Sequence, residues 1–162
     1  MEAIQDLRLI YPEVILTVGV LLVFLADLIA MKTPGLRRPL ALGITLGALV
    51  LAGLALVAAG DDSGRVVVFS SMLTVDAFSR YFKTLFLIAT FVVALFSYSS
   101  REVEADQEAE YYGILLSMTL AMCLLSSASN TLMLFLSIEF LSITSYVLAA
   151  SSARTWALPR RH

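Results

Sequence analysis

The stretch TLMLFLSIEFLSITSYVLAA, Thr131 to Ala150, decides how the rest of the chain is read. At 1.5 Å per residue, about 20 residues cross a hydrocarbon core of about 30 Å, so the stretch is long and apolar enough for a transmembrane helix. Glu139 falls about 12–14 Å from its start, near the level of a bilayer midplane. An acid there costs about 2.5 to 3.5 kcal/mol on insertion scales, so it is expected to face a protein interior or a hydrated cavity. The remaining segments are then expected to supply packing around it.

Composition supports the membrane reading. The chain of 162 residues is 59% hydrophobic and 15% charged, against roughly 45–50% and 25% in soluble domains. Mean hydropathy is +0.88. A soluble chain of this length cannot bury so much apolar surface. The net charge of −2 favours neither nucleic acid nor a basic membrane-surface binder. Cys123 is the only cysteine and His162 the only histidine, which leaves no internal disulfide and no Cys/His set for a metal or haem.

The expected fold is all-α and integral to the membrane, with about five transmembrane helices near 12–31, 40–59, 77–99, 111–127 and 131–150. The first apolar run lacks a basic leader before it and is read as a retained helix. Tyr11 and Pro12 mark its entry, and Glu13 gains from the positive end of the helix dipole. Glu13 is expected to be an end-of-helix charge at the lipid boundary, and Asp27 a solvated charge at the other end. The run Lys32-Thr33-Pro34-Gly35-Leu36-Arg37-Arg38-Pro39 reads as a turn. Gly43 and Gly47 stand at the spacing that lets a neighbouring helix approach. Residues 60–75 cannot span, and Arg65 to Phe69 has β-branched character, so a short strand or hairpin is expected between helices 2 and 3. Asp76 is placed to cap helix 3. Arg80 and Lys83 follow in its first two turns, where snorkelling to the interface is the expected behaviour. Residues 100–110 are expected to be a solvated acidic connector, and Ser126 to Asn130 a polar turn with capping side chains.

Lysine and arginine placement sets an expected orientation. The helix 1–2 turn, the helix 3–4 loop and the tail fall on one side and carry seven positive charges, against Arg8 and Arg65, with Arg80 and Lys83, on the other. This places the N-terminus outside and the C-terminus in the cytoplasm. On helix 5, Glu139, Ser142, Ile143 and Tyr146 fall at i, i+3, i+4 and i+7 and share one face. A carboxyl group, a hydroxyl and a phenol in line make Glu139 a candidate proton relay with Ser142 and Tyr146 as its polar support. An intramembrane acid is by default a hypothesis of a proton or ion path. The alternative is an acid that only bonds neighbouring helices together.

SIEFLSITSYVLA (Ser137 to Ala149), preceded by EYYGILLSMTLAMCLLSSASNTLMLFL (Glu110 to Leu136), resembles helices 4 and 5 of the antiporter-like N subunit of respiratory complex I. The YPE of Tyr11 to Glu13 and the DAFSRYFK of Asp76 to Lys83 match that pattern in order and spacing, so the resemblance covers roughly residues 5–150. The L and M subunits and the multisubunit cation/proton antiporters share the helix 5 acid but begin differently. The resemblance implies a membrane-arm subunit of a proton-translocating NADH:quinone oxidoreductase, multi-pass in a bacterial inner (plasma) membrane. Its partners would be the other membrane-arm subunits and the bilayer, with no nucleic acid and no bound substrate other than protons. It also implies no cofactor or redox centre in this chain, and a helix 5 glutamate, here Glu139, that interacts with a lysine on helix 7. After Ala150 the family continues into helices 6 and 7, whereas residues 151–162 read SSARTWALPRRH, so a divergent, shortened tail without that lysine is expected. The alternative function is a non-transporting membrane scaffold or remnant, or a subunit of a multisubunit cation/proton antiporter.

Overall fold

The computed structural model describes residues 10–30, 34–59, 66–68, 72–100 and 108–157. Five helices organise it: α1 Tyr11–Ala30, α2 Pro34–Ala58, α3 Ala77–Ser100, α4 Glu108–Ser127 and α5 Thr131–Ala157. Each contains a segment of 19 to 22 residues long and apolar enough to cross a membrane. Helices are the economical answer in hydrocarbon, because every backbone N–H and C=O beyond the ends is satisfied within the segment. Between α2 and α3, β1 Val66–Val68 and β2 Leu73–Val75 pair antiparallel, Val67 opposite Thr74.

Local chemistry explains most boundaries. Asp76 caps α3: its Oδ1 accepts the Ser79 N–H at 2.8 Å, and the Ser79 hydroxyl accepts the Asp76 N–H at 3.1 Å. Asn130 does the same for α5, accepting the Met133 N–H at 2.8 Å. Three helices outrun their sequence-based limits, α4 by starting at Glu108 rather than at residue 111. Helix α2 begins at Pro34 and runs through Pro39, so the expected turn at Lys32 to Pro39 gives way to helix after residue 33. Pro34 is free of penalty at the helix start, whereas Pro39, inside the second turn, gives up its bond to the Gly35 carbonyl and crowds it. Helix α5 continues to Ala157, beyond the expected end at Ala150.

Helix α4 is the central post. It packs against α1, α2, α3 and α5, and more than half of its spanning segment is buried. Leu16 of α1, Ala48, Leu49 and Ala52 of α2, Leu87 of α3 and Leu116, Leu120 and Cys123 of α4 form one apolar cluster. A second, from Val23, Ala41, Ala94, Ala109, Tyr112 and Leu115, fills the other end. The outward faces carry Leu21, Leu25, Leu28 and Ile29 on α1 and Phe78, Tyr81, Ile88 and Phe96 on α3. Such surfaces suit lipid rather than water. Four buried hydroxyls are satisfied inside their own helices: Thr45, Thr119, Ser137 and Thr144 each donate to the carbonyl four residues back.

Close helix approach falls at glycines other than the expected pair. A Cβ placed on Gly43 or Gly47 would meet nothing within 4 Å, whereas on Gly19 it would lie 2.6 Å from the Ala48 Cβ and 3.0 Å from Leu116 Cδ2. The GxxxG spacing on α2 is therefore not a contact among the described residues. Gly19→Ala is expected to destabilise the fold by about 1–3 kcal/mol through overpacking. Gly43→Ala is expected to be neutral or stabilising, since it relieves the helix penalty of glycine. Unfolding of the two variants in mixed detergent micelles measures both.

Candidate ionisable site between α1 and α3

Two charged side chains that the sequence places at helix ends meet inside the bundle. Glu13 stands in the first turn of α1 and Lys83 in the second turn of α3. Their residues are 4% and 1% exposed, and Lys83 Nζ lies 2.6 Å from Glu13 Oε1. Glu13 is thus not a lipid-boundary charge, and Lys83 does not snorkel. The physical reason is geometric. Ser79, Lys83, Leu87, Thr90 and Ala94 recur at helical spacing and are all buried, so Lys83 sits on the α3 face turned inward, where its long stem reaches a counter-charge.

The neighbouring α4 face carries Thr119, Cys123 and Ser127, also at helical spacing and buried. The hydroxyls of Thr119 and Thr90 lie 2.8 Å apart and join α4 to α3. Helix α4 packs against both α1 and α3, so this face borders the two helices that carry the pair. Glu13 Oε2 is buried and has no hydrogen-bond partner among the described residues.

The helix 5 residues are placed differently. Ser137 and Thr144 are buried on the side of α5 that meets α4. Glu139 is two residues from Ser137, about 200° round the helix, and it is exposed on the chain's surface. Ser142 is partly covered and Tyr146 is 74% exposed. The three do share one face, as the spacing requires, but that face turns away from α1 to α4. The expectation that the other helices of this chain enclose Glu139 is corrected: α5 lies at the edge of the bundle, and Glu139 forms no ion pair with another described residue. Among the described residues no group of three or more metal-ligating side chains occurs.

Sequence reading noticed Glu13 and Lys83 singly and did not join them. The signal available was an acid in one apolar segment and a lysine in another at similar depth from the same membrane face. Breaking this pair leaves an uncompensated buried charge. Lys83→Met is expected to destabilise the chain by about 3–5 kcal/mol, and Glu13→Met with Lys83→Met to restore most of that loss. Chemical unfolding of the single and double variants in micelles gives the comparison.

No family model matches the chain. Individual relatives do. NADH-quinone oxidoreductase subunit N from Anaeromyxobacter sp. strain Fw109-5 is 35% identical over 139 residues, covering 85% of this chain and 26% of that protein. Subunit N 2 of Koribacter versatilis is 34% identical over 150 residues, covering 90% and 30%. Subunit N of Nitrosomonas europaea is 34% identical over 148 residues, covering 91% and 30%. The chain spans less than a third of the length of these curated relatives. Nearly all of it is accounted for by that similarity, and it belongs to the NADH-quinone oxidoreductase subunit N family as a part of such a subunit.

Proposed function

We propose that this chain serves in the membrane arm of a proton-translocating NADH:quinone oxidoreductase, with Glu139 as a proton-relaying carboxylate and Ser142 and Tyr146 beside it. The observation that carries the reading is the position of Glu139: an acid at mid-span of an apolar helix, on a face that the chain's own helices leave uncovered. An acid facing lipid at that depth is unfavourable, whereas one facing another protein segment or a hydrated path is a functional carboxylate. The relatives named above support the membrane-arm assignment. The other membrane-arm subunits and the surrounding bilayer are the partners proposed, in a bacterial inner membrane. The chemistry required of this chain is proton transfer alone, so no redox group is assigned to it. The charge distribution supports an outward N-terminus, and burial of Lys83 removes one positive charge from that side of the count.

The second reading, a non-transporting scaffold in which Glu139 only bonds a neighbouring helix, draws on the lack of a basic partner for Glu139 among the described residues. Glu139→Gln separates the two, because the amide keeps hydrogen bonding and removes ionisation. In a membrane complex carrying the variant, the relay reading expects assembly to be intact while proton pumping coupled to quinone reduction falls by an order of magnitude or more. Unchanged pumping would contradict it.

A further inference from the structure

The hairpin end of the bundle gathers buried polar atoms that no described residue satisfies. Three buried side-chain atoms lack a hydrogen-bond partner among the described residues: Glu13 Oε2, Thr74 Oγ1 and Ser127 Oγ. They come from α1, β2 and the last turn of α4, and contacts between these elements bring them to one end. Leu73 bridges to Ala128, and the Ser129 N–H donates to the Met72 carbonyl at 3.0 Å, so β2 lies over the end of α4. Ile10, Leu73, Val75, Leu124 and Met133 close an apolar cap there. The Thr90–Thr119 bond between antiparallel helices fixes a register in which Lys83 is level with Ser126 and Ser127. On the other side, Gly19 packs on Leu116 and Gly113 on Phe24, which sets Glu13 level with Cys123, one turn from Ser127.

Such groups do not stay unpaired in folded proteins; nearly all buried polar atoms bond to protein or to ordered water, and a buried water takes two to four polar partners. An ion pair away from bulk solvent also needs its remaining lone pairs occupied before attraction offsets desolvation. Among the described residues α1 and α3 share few other contacts, so the ion pair is their main direct connection.

We propose that Glu13, Lys83, Ser127 and Thr74 form an internal hydration site at the hairpin end, whose water completes the free carboxylate oxygen and gives solvent protons access to the ion pair. Among the described titratable groups, Lys83 of α3 pairs with Glu13 and Cys123 of α4 stands at its level, while β2, laid over the end of α4, brings the uncharged Thr74. Helix α2 offers none at this end: its titratable side chains, Arg37 and Arg38, belong to its start, and Leu40 to Ala58 contains none. The site is separate from Glu139, which lies on the outer face of α5, so neither proposal depends on the other.

Water-edited solid-state NMR on the full chain in lipid bilayers tests this. Thr45 and Thr119 are controls, equally buried but bonded within the protein. Magnetisation from water is expected to reach Glu13, Ser127 and Thr74 several-fold faster than Thr45 and Thr119, and the Lys83 ammonium protons to exchange with water. Equal, slow transfer to all five residues would overturn the proposal. In the double variant Glu13→Leu with Lys83→Leu, fast transfer to Ser127 and Thr74 should be lost. If it persists, the pair does not anchor the water and the proposal fails. Should that variant not fold, the wild-type spectra alone still decide.

Discussion

A charge cannot stand alone among apolar helices, and the contact between Glu13 and Lys83 is this chain's answer to that constraint. The two residues belong to α1 and α3, which touch little elsewhere, and they meet 2.6 Å apart against α4. Removing either leaves the other stranded away from water, where several kcal/mol of desolvation has no compensation. The pair therefore ties the orientation of α1 to that of α3, and each must then present its remaining small and apolar residues to the same central helix.

The rest follows from α4. It meets four neighbours, so its sequence is rich in small and hydroxyl-bearing side chains, among them Gly113, Thr119, Ala121 and Cys123. Gly113 receives the Phe24 ring at about 3.0–3.3 Å from where a Cβ would stand, and Gly19 admits Ala48 and Leu116. Where lipid tails are as apolar as leucine, such close approach and hydroxyl bonding carry much of helix association. Helix α5 takes part least. Its polar residues divide between a face bonded to its own backbone and packed on α4, Ser137 and Thr144, and an open face with Glu139, Ser142 and Tyr146.

The five helices were legible because apolar runs of about 20 residues leave few alternatives in a membrane. Capping by Asp76 was also legible, since the relation is local and three residues long. The start of α2 was not, because Pro34 and Pro39 are equally at home in a turn and in the opening of a helix. The candidate site divides in the same way. Glu139 declares itself by depth within one helix, a property of local sequence. The Glu13–Lys83 pair joins residues 70 positions apart, and each alone resembles a charge at a membrane boundary. Only the tertiary arrangement distinguishes an inward lysine from one that reaches for headgroups. The uncovered face of Glu139 is likewise tertiary: helical spacing put Ser142 and Tyr146 beside it, but only packing shows which way that face turns.

The central claim is that the carboxylate enclosed by this chain's own helices is Glu13, held by Lys83. The most direct measurement is the nitrogen–carbon dipolar coupling between the Lys83 ammonium and the Glu13 carboxyl carbon in bilayer-embedded protein. The account predicts a strong coupling, in keeping with an Nζ–Oε1 contact of 2.6 Å. Absence of that coupling, with both side chains ordered, would contradict it.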